Sequence, residues 1–451
     1  MISISEALAR MMPHFSPLEA ERVPLDRALG RSLACALEAR EDVPGFDNSA
    51  MDGYAVSAAD LAGASREGPV ALPLASESRA GGPLPSPLGR GTAARIFTGA
   101  PMPEGADAVV MQEDVERRGD AIEERSGATV GRHLPPSAGV GMPSRSGATD
   151  VIAFFAAPRP GKHVRRRAEV LARGQALLDA GDAIGIGEIG VLASQGFAQV
   201  PVHRRPRVAL LSTGDELREI GEPPRPGSLV DSNAHALAAA VREAGGVPLV
   251  LPRAPDDRGL LLDAVRAGLA GADVLVTCGG VSVGEYDLLH EVFREAGVEE
   301  VFWKVRIKPG KPLRFGLFSQ GSFGAMPVIG LPGNPVSALL IFEVFVRPGL
   351  RRMLGDRRPF RDVVGVELAS PLPAPGARTE LVRATLERRE GGAPLALPKR
   401  DQGSGNLTSL VGLDALVIVP EGSAALAAGA PANALDLRGG RGRTEHPFGE
   451  P

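Results

Sequence analysis

Between Arg207 and Met353 the chain alternates two rhythms of apolar and polar residues. Short apolar runs at Val208–Leu211, Val247–Leu251, Val274–Thr277 and Val328–Leu331 are separated by stretches with helical spacing at 233–244, 258–270, 287–296 and 335–348. Strands that alternate with helices predict a parallel, doubly wound sheet. Upstream, residues 3–41 read as helix, turn, helix: one helix opens at Ser5-Glu6-Ala7-Leu8 and the apolar spacing resumes from Leu18 to Leu37. From Val43 to Val115 the pattern breaks into short runs punctuated by Gly, Pro and Asn. Strands are expected at Thr92–Thr98 and Ala108–Met111, within a small β domain. Gly161–Ser194 is regular again, with Ile189–Ser194 helical. Residues 360–438 carry short strands at Val363–Leu368, Thr379–Leu386 and Ala415–Val419, which predict a small barrel or sandwich.

Two segments have no rhythm. In 116–157, Ser126-Gly127-Ala128-Thr129 recurs as Ser146-Gly147-Ala148-Thr149 around Pro135-Pro136, a loop or linker composition. The segment from 439 to the end, with Gly439-Gly440-Arg441-Gly442-Arg443, reads as a disordered tail.

Composition narrows the function classes. A chain of 451 residues has room for roughly three or four domains. Its formal charge of −4 gives no sign of nucleic-acid binding, so any anion site is local. Two cysteines, Cys35 and Cys278, cannot build a disulfide framework and fit a reducing cytoplasm. No apolar run reaches the ~20 residues of a membrane span, and no secretory signal is evident at the N-terminus.

The chemistry concentrates between Asp273 and Ser337. The strand Val274–Thr277 leads into Cys278-Gly279-Gly280-Val281-Ser282-Val283-Gly284-Glu285-Tyr286-Asp287. Glycines at the carboxyl edge of an open α/β sheet let backbone N–H groups approach an anion. Lys308-Pro309-Gly310-Lys311-Pro312 forms a doubly positive corner, with Lys304 upstream after Trp303. Two ammonium groups in one tight turn repel unless an anion joins them, although a solvated loop also fits. Three strand ends carry acids: Asp215 and Glu216, then Asp256 and Asp257, then Asp287. Helix capping accounts for such acids singly. Together they point to a cation, Mg²⁺, bridging phosphates. Phe46-Asp47-Asn48-Ser49-Ala50-Met51-Asp52-Gly53 fits either an Asx turn or a cleft wall, and Thr98-Gly99 fits either a turn or a site. Cys278, with no histidine near it in sequence, reads as a small buried strand-end residue.

Taken in order and spacing, Phe46–Val56, Thr98-Gly99, Met111-Gln112-Glu113, Ser212–Leu217, Gly279–Asp287, Lys308–Pro312 and Leu331–Ser337 resemble the molybdopterin molybdenumtransferases. This is the MoeA family, which includes the E domain of gephyrin, and the likeness spans nearly the whole chain. The resemblance implies a multidomain α/β and β protein. A linking helical and extended domain would be formed by 1–45 and 158–204, and an inserted β domain by 46–157 with its long loop at 116–157. A doubly wound, MogA-like α/β domain at 205–354 and a C-terminal β barrel at 355–438 would follow, with 439–451 as the tail. It implies homodimers whose sites lie between one subunit's α/β and C-terminal domains and the other's β domain. It further implies a Mg²⁺-dependent reaction of adenylylated molybdopterin with molybdate that releases AMP. Carried over by motif, Asp52 and Thr98 would complete the site from the second subunit. Glu216, Asp256 and Asp287 would serve metal and nucleotide, with Asp215 a further metal ligand. Gly279, Gly280, Ser282 and Gly284 would line the ligand loop, and Lys304 and Lys308 would follow its phosphates. Lys308, Lys311, Ser337, Arg378 and Ser404 would form the molybdate basin.

Two departures stand out. Where the family reads Arg-Arg-Arg-Gly-Glu-Asp, this chain has Arg165-Arg166-Arg167-Ala168-Glu169-Val170, so the last carboxylate is missing. The 116–157 segment is roughly thirty residues longer than a β connection needs. It is either passive or a docking surface for another cofactor-assembly protein, the molybdopterin adenylyltransferase among them. A gephyrin-like scaffold with reduced turnover is the alternative to a molybdenum insertase. Charged residues that repel around an empty cleft favour the enzyme.

Overall fold

The computed structural model describes residues 1–118, 150–280, 288–319, 324–439 and 442–449. The chain forms two compact units, Leu37–Leu177 and the remainder, Met1–Ala36 with Leu178–Pro451.

In the larger unit the strands of the α/β sheet run in the order Val247–Val250, Arg207–Ser212, Val274–Cys278, Ala325–Leu331, Arg314–Ser319, Val298–Trp303. The first four are parallel, as their rhythm predicts. The last two are antiparallel, so the all-parallel expectation fails at that edge. They are joined by residues 304–313, a connection without a helix, whereas a parallel pair needs a crossover of a dozen or more residues. Alternate residues serve two cores. Val208, Leu210, Val274 and Val276 face one, while Ala209, Leu211 and Leu275 face the other. Each such buried valine or leucine contributes about 1.5–3 kcal/mol. Helices Ser232–Glu243, Arg258–Gly271, Leu288–Glu295 and Pro335–Ile341 flank the sheet.

The second helix expected between Leu18 and Leu37 does not form. Ala20–Pro24 is instead a strand paired antiparallel with Gln199–His203, because a partner strand outweighs a weak local helical preference. The first helix, Ile4–Met11, is capped by Ser3 rather than Ser5. At the C-terminal end, Val363–Leu368, Thr379–Glu387, Leu395–Pro398, Ala415–Val419 and Pro431–Asp436 close into a five-stranded barrel. Closure removes the exposed sheet edges. The segment after 439 contributes Arg443, bridged to Phe360, and Phe448, whose carbonyl accepts from the Ser5 hydroxyl (2.9 Å).

The smaller unit holds a six-stranded sheet ordered Ala108–Met111, Gly53–Val56, Ala93–Ile96, Val70–Ser78, Val151–Phe154, Val115–Arg118. The ends of the expected 116–157 loop are therefore strands, paired antiparallel with each other. Gly53 is obligatory, since a Cβ there would run into the Val110 carbonyl oxygen.

Candidate functional site

The sheet's carboxyl edge is laced at its base. The Thr213 N–H donates to the Cys278 carbonyl (3.0 Å), and the Gly279 N–H donates to the Leu331 carbonyl (3.2 Å). Gly279 and Gly280 have φ of +99° and +65°. A Cβ on Gly279 would stand 2.5 Å from the Thr213 carbonyl oxygen, and one on Gly280 2.5 Å from Leu289 Cδ1. Backbone conformation and space thus both demand glycine at these positions. Asn233 Nδ2 donates to the Gly333 carbonyl (2.8 Å), which ties the helix Ser232–Glu243 to the Leu331–Ser337 turn. Cys278 Sγ donates to the Pro332 carbonyl (3.3 Å). Burial, followed by the nearby Asp231 charge, pushes its pKa up to about 12, so it stays a protonated packing group. Among the described residues, Thr213 Oγ1, Thr277 Oγ1 and Asn233 Oδ1 are buried at this edge without a partner. Asp231 and Asn233 went unremarked in the sequence. Their signal was a Gly-Ser turn followed by an acidic N-cap, and Asp231 indeed accepts from the Ala234 N–H (3.0 Å).

The carboxylates gather only in part. Asp215 Oδ1 accepts from the Asp256 N–H (3.1 Å), so these two exposed acids are neighbours. The Glu216 carboxylate folds back over Gly214, into the space a Cβ would need. Among the described residues no three acid, histidine or cysteine side chains form a metal-holding group. Ser282, Gly284 and Asp287 lie outside the described residues. What is present suits an ion held by one or two carboxylates and completed by ligand phosphates, the usual habit of Mg²⁺.

The cationic corner is built where the α/β domain meets the barrel. The short strand Ile307–Lys308 pairs in parallel with Thr379–Glu380, and Lys308 Nζ lies 3.0 Å from Glu380 Oε1. Gly310, at φ +108°, packs so tightly that a Cβ would stand 2.5 Å from Ile341 Cγ1. The turn therefore leans on the helix that carries Ser337. That helix begins with the Val336 N–H donating to the Ser404 carbonyl (3.2 Å). Lys308, Ser337, Arg378 and Ser404 are in this way drawn from four segments into one neighbourhood. Among the described residues Lys304, Lys311 and Arg378 have no carboxylate within ion-pair distance.

Sequence reasoning missed Arg383. It is 0% exposed, and its Nη2 donates to the Asp401 and Gly403 carbonyls (3.2 Å each). Gln402 closes the clasp, its Oε1 accepting from the Arg383 N–H (3.0 Å). The loop that bears Ser404 thus folds around a buried guanidinium, and only the closed barrel reveals this.

In the smaller unit Asp52 Oδ1 accepts from both the Thr98 N–H (2.7 Å) and the Thr98 hydroxyl (2.8 Å). The backbone bond first, then the hydroxyl, holds its carboxyl below the ordinary aspartate value. Arg95 lies 5.0 Å from the ring centres of both Tyr54 and Phe97, and it donates to Gln112 Oε1 (2.5 Å).

Family models match along the chain. A MoeA N-terminal region (domain I and II) covers residues 2–196, a probable molybdopterin binding domain 209–352, and a MoeA C-terminal region (domain IV) 365–437. A molybdopterin molybdenumtransferase of Nostoc sp. is 34% identical over 94% of this chain and 90% of its own length. The chain belongs to the MoeA family. A second such relative, from Mycobacterium tuberculosis, is 36% identical over 95% of this chain and 97% of its own. The crystal structure of a MoeA protein from Pyrococcus horikosii aligns with a TM-score of 0.78 at 30% identity, covering 98% of this chain and all of that one.

The departure from the MoeA pattern at 168–170 now has a geometry. Val170 is 74% exposed. Glu169 does not replace the missing acid, because its carboxylate turns back to accept from the Arg166 N–H (2.8 Å). Ala168, where the resemblance expects glycine, sits at φ +61°.

Proposed function

We propose that the protein is a molybdenum insertase: it transfers molybdenum from molybdate to adenylylated molybdopterin and releases AMP. Family membership supports the coarser statement, a transferase of molybdenum cofactor biosynthesis. The observation that carries the finer one is the corner of Lys308, Lys311, Arg378, Ser337 and Ser404 beside a glycine-lined sheet edge. Molybdate is a tetrahedral dianion, and ammonium, guanidinium and hydroxyl donors in a fixed frame suit it. The close packing of Gly279 and Gly280 against Thr213 and Leu289 would hold the sheet's carboxyl edge in place beside a phosphorylated ligand. Asp215 and Asp256 would hold Mg²⁺, which when bound supplies charge neutralisation at the phosphoanhydride. Lys304 and Lys308 would orient the phosphates. Asp52, its carboxylate oriented by Thr98, would complete the site from the second subunit of a homodimer. No helix among the described residues is long and apolar enough to cross a membrane.

A scaffold reading has one observation in its favour, the missing carboxylate at Val170 with Glu169 committed elsewhere. One experiment separates the two. Purified protein given adenylylated molybdopterin, Mg²⁺ and molybdate is expected to release AMP and yield cofactor that activates a molybdoenzyme. Intact ligand bound without AMP release rejects the insertase and leaves the scaffold.

A further inference from the structure

The edge strand Val298–Trp303 ends at the chain's single tryptophan, directly before Lys304. In an extended strand, neighbouring side chains leave on opposite faces. Lys304 breaks that rule. Its φ is +74°, a left-handed conformation that disfavours any residue with a Cβ. Main-chain bonds hold it there: its N–H donates to the Leu313 carbonyl (2.9 Å), and its own carbonyl accepts from the Ile2 N–H (3.2 Å). The turn brings the ammonium back over its neighbour, 3.5 Å from the indole centre, well within cation–π range. Arg314 also lies against this ring, at 5.1 Å, but Glu300 neutralises it (2.5 Å). Lys304 has no carboxylate partner among the described residues.

We propose that Trp303 is a positioning residue whose indole face is a platform holding the Lys304 ammonium ready for a phosphate oxygen. A free lysine stem loses much rotamer entropy when it is ordered around a ligand. The ring orders the ammonium beforehand through one face and leaves its other N–H donors for the anion. The backbone strain at Lys304 is retained because it is what puts the side chain on the ring. The inference rests on the proposed phosphate site and names the group that prepares one of its cations.

The test is a double-mutant cycle on the full chain, with inorganic pyrophosphate as probe and calorimetry as readout. Trp303→Leu is expected to weaken binding about three- to tenfold when Lys304 is present, and not at all in the Lys304→Met background. Trp303→Phe keeps an aromatic face and is expected to recover most of the loss. A packing role alone would weaken binding equally in both backgrounds, and that outcome, or no weakening at all, overturns the platform. Failure of the unmodified protein to bind pyrophosphate overturns the phosphate site and the platform together. Binding without coupling removes the platform only.

Discussion

Around their candidate site residues the two units treat charges differently. In the smaller one, acids near the Phe46–Val56 motif are answered locally. Asp52 is bonded twice by Thr98, Asp47 by the Arg167 N–H and the Arg166 guanidinium, and Asp42 by Arg167 and the Arg173 N–H. In the larger one, Lys304, Lys311 and Arg378 stand without carboxylate partners among the described residues, Lys311 and Arg378 near glycine and proline and Lys304 on a left-handed turn. Satisfied charges shape a surface and hold one carboxylate in a set direction. Unanswered charges of one sign on a rigid frame store repulsion that a ligand of opposite sign relieves. On the proposed function, the larger unit would meet the ligand's charge and the smaller would supply orientation.

The strongest challenge to that contrast is to the frame itself. Gly279→Ala forces a Cβ against the Thr213 carbonyl from a left-handed φ. It is expected to cost about 3 kcal/mol in denaturant unfolding, whereas Ala at Gly81, open and solvent-facing, should cost about 1 kcal/mol from its φ alone. Equal losses would mean the glycine loop is not tightly built. Next comes the corner. Lys311→Ala is expected to raise the molybdate requirement of AMP release about 10- to 100-fold, the worth of one charge-assisted hydrogen bond, with pyrophosphate affinity largely kept. An unchanged molybdate response would remove Lys311 from the basin.

These tests also show how much of the molecule could be read beforehand. The parallel strands and their helices were legible because burial on both faces imposes a strong rhythm. Arg314–Ser319 and Val298–Trp303 were not recognised as strands, since an antiparallel edge follows no crossover pattern. Residues 18–37 misled because helical spacing was present without a partner in view. Among site residues, the glycines and lysines announced themselves by type. Asn233 and Arg383 act through contacts made 100 and about 20 residues away, which no local pattern encodes. Trp303 was visible only as a neighbour of Lys304, its role hidden in a single dihedral angle.

Two smaller tests sharpen the other side of the comparison. Ala168→Gly removes a Cβ from a left-handed position and is expected to stabilise the smaller unit by about 0.5 kcal/mol, the relief exceeding glycine's added unfolded-state entropy. Thr98→Val deletes one of the two bonds that depress the Asp52 pKa. Its titration by carboxyl NMR should move up part of the way toward the ordinary value of about 3.9. Because the folded pKa is depressed, the stabilisation is full at neutral pH and disappears only as pH falls through that low value. The stability gap between the unmodified and Thr98→Val proteins should therefore be full at neutral pH and close as pH falls into the acid range.

The parallel rungs from Ile307–Lys308 to Thr379–Glu380 bear on any attempt to recombine this protein with a relative. They splice the barrel's wall onto the chain segment that carries the lysines, and the Val336–Ser404 bond adds a second suture. A chimera cut at the apparent seam near residue 355 would inherit one strand of each splice from a different parent. Exchange of the barrel should succeed only when 304–312 and 331–337 travel with it, so the unit of inheritance is the junction rather than the domain.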